Sequence, residues 1–187
     1  MANTNKVLFG FSDLYVGTYT ESNGTVTMGT PYHQAGAVGF SPEDNVEQNT
    51  FYADNVAYYV TDTAGSTEGD LVVAKFDDQF LKDFLGYAET TSGGLAQIKG
   101  ANKPKVYLAF EVQGDGDPIR VIYYNATLGS VVREYATIED SVEVQTETLA
   151  VTIAGDNATG IVKAVYDSEA TGYATLFTAP PAPALAP

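Results

Sequence analysis

The sequence contains no cysteine and no tryptophan, and only one histidine, His33, among its 187 residues. Without cysteine there can be no disulfide framework, no thiol catalysis, no iron–sulfur cluster and no zinc site with cysteine ligands. A single histidine also excludes a metal site built from two histidines of one chain. Proteins that depend on any of these groups are thereby excluded.

Basic residues are scarce: 9 Lys and Arg stand against 24 Asp and Glu, which gives a formal net charge of −15. Proteins that hold nucleic-acid backbones or anionic membranes need clustered Lys and Arg. Hydrophobic residues make up 44% of the chain, too many for a disordered acidic segment, and the length is ample for one core. We therefore expect one folded, acidic domain.

Long hydrophobic runs and a secretion signal are also missing. Residues 1–6 have neither a basic nor an apolar signal region, and charges, Gly or Thr interrupt every apolar stretch. We expect a protein that is made in a cytoplasm, that either stays there or is released by lysis, and that does not cross a membrane.

The end of the chain, residues 179–187, consists of Ala, Pro and one Leu. Because repeated Pro removes backbone donors, it predicts an extended arm after a β domain of residues 1–178. A frayed tail and an assembly role both remain open for this arm.

Thr, Val, Ile, Tyr and Phe dominate the interior segments, and turn residues separate them, as is typical of an antiparallel β protein. Asn23-Gly24 predicts a tight hairpin between strands at 14–20 and 25–28. Clean alternation over 104–113, followed by a Gly/Asp turn, predicts a second hairpin with 119–127.

Other segments are less regular. Within 141–153 the apolar residues change from even-numbered to odd-numbered positions. Because a strand repeats every two residues, this change predicts a bulge, a bend or a change of environment near 146–148. Two closing strands are expected at 160–166 and 172–178. Three stretches have the composition of long loops, and we expect them to contact a partner subunit: 29–49 (apart from a weak strand at 37–40), 61–69 and 89–103.

One short helix is expected at about residues 77–86. Phe80, Leu81, Phe84 and Leu85 have helical spacing, Asp77 can cap the start, and Gly86 can end it. The predicted fold class is therefore mainly β: an antiparallel β-sandwich or partly closed barrel with one short flanking α-helix and long loops.

No catalytic, cofactor-binding or metal-binding residues are predicted. Asp115 and Asp117 have the spacing of oxygen ligands, but the rest of a calcium loop is missing, so a turn is favoured. Adjacent carboxylates such as Glu43-Asp44 point different ways and indicate solvated surface. His33 lies in a loop, and no nucleophile motif accompanies it. The sequence therefore does not predict an enzyme, and it predicts no cofactor.

Five stretches, in order along the chain, resemble the major tail proteins of long, flexible-tailed bacteriophages infecting Gram-positive bacteria. They are Lys6–Val16, Asn49–Tyr59, Glu68–Leu71, the helix Asp78–Gly86, and Ser141–Leu149. None of the stretches is a catalytic signature, and each is weak evidence alone. Their number and order carry the resemblance.

The resemblance implies a structural virion protein, a tail tube subunit. Such proteins form hexameric rings whose sheets join around a lumen, and the rings stack into the conduit for DNA ejection. The implied partners are further copies of the chain, a tape-measure protein and tail-end proteins, while DNA passes without specific binding. The implied location is the virion tail, with assembly in the host cytoplasm.

Under this resemblance two sets of residues are candidates for assembly surfaces. Acidic and amide side chains on otherwise apolar strands are candidates for the lumen face, although an ordinary solvent-facing stripe explains them equally well: Glu111, Gln113, Glu143, Gln145 and Glu147. Aromatic residues in the segments 1–11 and 29–55 are candidates for ring stacking: Phe9, Phe11, Tyr32, His33, Phe51 and Tyr52. The Ala/Pro arm is a further candidate for ring stacking.

Two other functions stay open at this stage. A soluble β-sandwich that binds carbohydrate or mediates adhesion could use the pairs Tyr58-Tyr59 and Tyr123-Tyr124 to stack on sugars. However, such pairs more often divide between the two faces of a strand. A small hydrolase that uses carboxylates is the other possibility, although no pair of acidic residues in the sequence stands out as a catalytic pair.

Overall fold

A computed structural model describes residues 5–137 and 144–186, and eleven strands and one helix lie in these two ranges. The elements are β1 Leu8–Ser22, β2 Thr25–Met28, β3 Tyr32–Gln34, β4 Ala37–Ala53, β5 Val56–Val73, α1 Asp78–Leu85, β6 Ala88–Glu89, β7 Leu95–Ala96, β8 Val106–Gly114, β9 Ile119–Arg133, β10 Glu147–Ile153 and β11 Lys163–Tyr166.

One antiparallel sheet contains nine of these strands, in the order β2-β1-β8-β9-β10-β5-β4, with β3 against β1 and β11 against β9. Strands β6 and β7 form a separate small hairpin. Over the two described ranges the sheet does not close into a barrel, because β4, at one end of the strand order, pairs only with β5. The predicted class, a mainly β sandwich-like fold with one helix, is confirmed.

Both hairpins predicted from local turn signals are present. β1 and β2 pair across Asn23 and Gly24, whose φ angles of 51° and 74° are the left-handed values that a two-residue hairpin turn requires. β8 and β9 pair from Val112 with Ile119 to Val106 with Ala126. The Gly-Asp-Gly-Asp segment is the turn between them, as predicted.

The predicted long loops at 29–49 and 61–69 are wrong. Residues 37–53 and 56–73 are two long paired strands, β4 and β5, joined by a tight turn in which Asp54 and Asn55 have φ angles of 53° and 63°. The side chains of this hairpin are polar or exposed over much of its length, so the alternation that marks a half-buried strand is absent. The predicted loop at 89–103 is mostly irregular, with the short strand β7 inside it.

Near the C-terminus one predicted strand is correct and the other is wrong. β11 lies within 160–166, but residues 171–178 form consecutive turns instead of a strand. The turns bury the Leu176 side chain and place Tyr173 and Phe177 on either side of the Arg120 guanidinium, 4.1 Å from each ring centroid. A strand could not present these three side chains to the same surface, because alternate residues point to opposite faces.

The phase change in 141–153 coincides with the start of a strand. β10 begins at Glu147, and Val144 before it is 83% exposed, while Leu149, Val151 and Ile153 are buried. Residues 138–143 lie outside the described ranges. The change of environment predicted near 146–148 is therefore the entry of the chain into the sheet.

Helix α1 begins and ends where the sequence predicts. The Asp77 carboxylate accepts a hydrogen bond from the Phe80 backbone N–H at 2.8 Å, and Gly86 ends the helix with a φ of 69°. Its buried side chains are Phe80, Leu81, Phe84 and Leu85. An isolated helix of eight residues is unstable in water, so packing against the sheet holds it in place.

Two apolar clusters lie on opposite faces of the sheet. The larger cluster packs the inward residues of β1, β5, β8, β9 and β10 against α1. The smaller cluster lies on the other face of β8 and β9, around Tyr107 and Tyr124, and the C-terminal residues cover it through Leu176 and Phe177. Pro180 and Pro183 are buried, and the Tyr124 hydroxyl donates to the Pro181 carbonyl oxygen at 3.2 Å.

Replacing Asp77 by alanine should lower the free energy of unfolding by about 2 kcal/mol, since the carboxylate also accepts from the Tyr32 hydroxyl at 2.6 Å. Asp78→Ala is the matched control, because Asp78 contributes only its charge in the first turn, worth about 0.5 kcal/mol. Urea denaturation of both variants measures the difference. Equal losses would show that the cap and the tyrosine contact contribute nothing.

Candidate assembly surfaces

The distal hairpin, residues 45–66, is a two-stranded extension of the sheet. β10 pairs with β5 only from Thr67 to Val73, so nothing in the described ranges pairs with the other edge of β5 beyond Thr67. Four aromatic side chains near its tip are between 62% and 73% exposed: Phe51, Tyr52, Tyr58 and Tyr59. An isolated hairpin with so much exposed apolar surface marks an interaction site.

A four-stranded section forms one side of the sheet: residues 126–133 of β9, then β10, residues 67–73 of β5, and residues 37–44 of β4. Ala126 of β9 lies between Val106 of β8 on one side and β10 on the other. Val106 is the first residue of β8, so β8 does not reach past this point. The β8-side edge of β9 therefore has no strand partner beyond Ala126 within the described residues. At the opposite side of the section, no strand in the described part of the chain pairs with the outer edge of β4, so this edge is open as well.

The two faces of this section differ in chemistry. Leu71, Leu149 and Val151 point into the larger apolar cluster. On the other face, Glu43, Glu68 and Asp70 are exposed among small side chains such as Ala150, and they border a shallow groove of about 440 Å³. We call this the acidic face.

The predicted lumen residue Glu111 lies elsewhere in the fold. Its carboxylate pairs with the Arg120 Nε at 2.9 Å and accepts from the Tyr173 hydroxyl at 3.1 Å. The Glu111 side chain is 16% exposed and sits beneath the C-terminal turns. This carboxylate anchors the C-terminal segment to β8 and β9.

Glu147 is also engaged inside the subunit. It pairs with the Arg133 Nε at 2.6 Å, accepts from the Phe76 backbone N–H at 2.8 Å, and is 12% exposed. Alternation along β10 places it on the same face as Leu149, away from the acidic face. It joins three segments at the end of the sheet where α1 begins.

The other lumen candidates in the described part of the chain lie at two further places. Gln113 is exposed at the end of β8, near Gly10. Gln145 is exposed just before β10. Glu143 lies outside the described residues. The structure therefore does not bring the four described candidates together on one surface, and the assignment of all five to a lumen stays a prediction.

Two of the ring-stacking candidates pack within the subunit. The Phe11 ring lies 4.9 Å from that of Phe110. Tyr32 contacts the helix, with its ring 5.9 Å from Phe84 and its hydroxyl bonded to Asp77. Burial, together with that hydrogen bond, raises the pKa of Tyr32 to about 12. Both residues are available to a partner only in part.

The remaining stacking candidates are exposed but lie in two regions. Phe51 and Tyr52 are 62% and 65% exposed on the distal hairpin. Phe9 is 53% exposed in the N-terminal part of β1, and His33 is exposed beside Tyr15, with ring centroids 4.9 Å apart. The distal hairpin also exposes Tyr58 and Tyr59, which are not among the predicted ring-stacking residues.

Only one of the two tyrosine pairs considered for sugar binding is exposed in the described residues. Tyr123 and Tyr124 are 5% and 1% exposed and pack into the two opposite clusters. Only Tyr58 and Tyr59 remain exposed, as neighbours that alternate between the faces of β5. Because Tyr123 and Tyr124 are buried, half of the stacking residues on which the carbohydrate-binding hypothesis rests cannot contact a sugar.

Residues 5–137 and 144–186 contain no group of three or more His, Asp or Glu side chains that could hold a metal ion. No helix there has the length and apolarity needed to cross a membrane.

A family model described as phage tail tube protein matches residues 1–176. The chain belongs to this family. As a tail tube protein it has a structural role in the phage tail, and the family is not one of enzymes. No curated protein matches the sequence.

One solved structure supports the fold of the tail tube protein, and a second is similar at a lower score. The tube-terminating cap of the anti-feeding prophage has a TM-score of 0.53 at 8% identity, covering 90% of this chain and 97% of that one. A chain of the sheath–tube complex of an extracellular contractile injection system, in its extended state, has a TM-score of 0.49 at 10% identity, covering 83% and 88%. At such low identity the cap supports the fold alone.

Proposed function

We propose that six copies of this tail tube protein join edge to edge into a ring, and that rings stack head to tail into the conduit for DNA ejection. The observation that carries this proposal is the four-stranded section with one open edge on β4 and the other on β9. Open edges normally invite association, and a ring of copies would pair every one of them.

Strand direction favours ring closure. The four strands of the section are antiparallel in succession, so β9 and β4 run in opposite directions. Rotation about a ring axis preserves direction, and β4 of one copy would therefore lie antiparallel to β9 of the next. The segments 37–41 and 130–133 both lie level with residues 70–73 of β5, which places the two edges at the same height.

The size of such a ring suits a conduit. Six copies of a four-stranded section, at ~4.8 Å between strands, give a barrel roughly 37 Å across before strand tilt is added. Barrels with fewer strands already enclose aqueous channels. A DNA duplex can pass through a barrel of this width.

The acidic face is suited to line the lumen. The opposite face holds the apolar core and α1, so the acidic face is the one that can contact a moving polymer. Glu43 and Glu68 are direct cross-strand neighbours, an arrangement of like charges that costs stability. Carboxylates facing the lumen would repel DNA phosphates and let DNA slide without binding.

Exposed apolar residues at both ends of the section suit head-to-tail stacking. The distal hairpin projects from one end. At the other end, where β9 finishes, Tyr135 and Val144 are 87% and 83% exposed. A heterologous contact between these two ends repeats without closing and therefore extends a tube.

We expect the tube to bind two further kinds of protein. A tape-measure protein would occupy the lumen during assembly in the host cytoplasm, and tail-end proteins would cover the terminal rings. Family membership supports these partners, since a tube of finite length needs both a length control and ends.

Electron microscopy of the purified chain at rising concentration tests this proposal. Rings of six-fold symmetry and tubes built from them are expected. Monomers that persist at every concentration, together with saturable binding of a sugar, would contradict the proposal and support a carbohydrate-binding module.

A further inference from the structure

A β-bulge lies where the distal hairpin leaves the sheet. The register shifts between Asp44 and Val46 of β4, because β5 has one more residue than β4 over this stretch. Thr67, the partner of Asp44, is also the residue of β5 nearest the hairpin that still pairs with β10. An extra residue of this kind bends its strand and increases the local twist. The direction of the hairpin is therefore decided at this bulge.

A hydrogen bond anchors the sheet side of the bulge. The Thr67 hydroxyl donates to the Asp44 carboxylate at 2.5 Å, and Thr67 is 5% exposed. A bond to a carboxylate is stronger than one between neutral groups, so the two strands are held in register here. A change in the bulge is therefore passed on to the hairpin, which has no other strand beside it in the described residues.

Gly65 allows the bulge to close. A Cβ atom at this position would overlap the backbone carbonyl oxygen of Asn45, on the facing strand. Because that oxygen belongs to the backbone, it cannot turn aside as a side chain could, and the strands would have to separate by about 1 Å. Between strands about 4.8 Å apart, such a separation turns the hairpin by roughly 10°. Its tip, about ten residues away, would move by roughly 6 Å.

The bulge also decides which face of the hairpin carries the aromatic side chains. Glu68, an even-numbered residue of β5, shares a face with its partner Glu43. Beyond the extra residue the odd-numbered Tyr59 lies on that face and pairs with Phe51. The bulge therefore brings Phe51 and Tyr59 together on one surface.

We propose that Gly65 is the positioning residue of the distal hairpin: it keeps the bulge closed, so that Phe51 and Tyr59 point at the adjacent ring of subunits. This proposal rests on the stacking proposed above. An exposed glycine inside a strand costs stability, because it packs no side chain and loses more conformational freedom on folding than other residues. The close approach of the two backbones explains why a glycine is present here.

Sedimentation of tubes formed by full-length Gly65→Ala, across a concentration series, tests the proposal. The variant should need a roughly tenfold higher concentration than the unmodified chain, since a displaced tip loses about half of its apolar contact area. Ser66→Ala is the matched control, because Ser66 is the neighbouring residue of the bulge and already has a Cβ atom. Its tubes should form at the original concentration, and the thermal midpoints of both variants should equal that of the unmodified chain.

Distances within the dissociated subunit test the direction of the hairpin separately. The chain has no cysteine, so spin labels can be attached to Ala57→Cys near the tip, paired in turn with Ser168→Cys and Ile98→Cys, all at exposed positions. Two reference positions detect movement along two different lines. At least one mean distance should change by several ångströms when Gly65→Ala is added, and neither should change with Ser66→Ala.

The outcomes separate this proposal from the ring. If the unmodified chain forms tubes and Gly65→Ala forms them at the same concentration, Gly65 has no positioning role and the stacked rings stand. Unchanged label distances together with a lowered thermal midpoint would also overturn the proposal, because Gly65 would then only support the fold. If the unmodified chain forms neither rings nor tubes, both proposals are wrong.

Discussion

Replacing Phe51 and Tyr59 together by serine is expected to abolish tube formation at concentrations where the unmodified chain forms tubes. The two side chains are cross-strand partners on the distal hairpin and are 62% and 63% exposed. Burying two such rings between stacked rings of subunits contributes about 3 kcal/mol per subunit, so the concentration needed for tubes should rise roughly 100-fold. Sedimentation of tubes across a concentration series measures this change.

Ile98→Ser is the control for the hairpin variant. Ile98 is 48% exposed in the segment before β8, far along the chain from the distal hairpin. The control should form tubes at the original concentration. The stacking role of the hairpin is wrong if the double variant, with an unchanged circular dichroism spectrum, forms tubes as readily as the control.

Leu176→Ala is expected to lower the free energy of unfolding by about 3 kcal/mol. Leu176 is fully buried against the Tyr107 and Tyr124 cluster, although it lies in a series of turns near the C-terminus. The loss of its side chain leaves a cavity between the C-terminal segment and β8 and β9. Guanidinium denaturation of the full-length chain measures the loss.

Leu185→Ala makes the same chemical change nine residues later, where the leucine is 73% exposed. Its free energy of unfolding should stay within about 0.5 kcal/mol of the original. Similar losses for both variants would show that the C-terminal segment does not cover the smaller cluster in solution.

Elements with strong local signals were predicted correctly from the sequence. The Asn23-Gly24 turn needs positive φ angles, and the start and end of α1 are marked by Asp77 and Gly86. Each of these signals acts over a few residues, so it can be recognised without the rest of the fold.

The distal hairpin could not be predicted because its strands have no buried face. Residues 45–53 and 56–61 are almost all exposed where their burial is described, so no alternation marks them as strands. The Asp54-Asn55 turn was the one available signal, since both residue types tolerate positive φ. At 171–178 the error is reversed: apolar and polar residues alternate as they do in a strand, but the segment forms turns. Two of its aromatic residues contact Arg120 instead of a neighbouring strand.

The lumen candidates show a similar limit. A polar residue on an apolar strand predicts exposure, yet Glu111 and Glu147 are both paired with arginines. Hairpin register could have revealed the first pair, because a turn at 114–118 places Glu111 opposite Arg120. The second pair depends on β10 returning to β9 after residues 134–146, which the sequence does not specify. The acidic face needs β4 and β5 side by side and was therefore missed with the hairpin.

Cryo-electron microscopy of tubes assembled from the unmodified chain tests the central claim most directly. The account predicts six copies in each ring, with β4 of one copy antiparallel to residues 130–133 of β9 in the next. It also predicts that Glu43, Glu68 and Asp70 point into the lumen. A ring closed through other edges, or one with α1 on the inner wall, would contradict it.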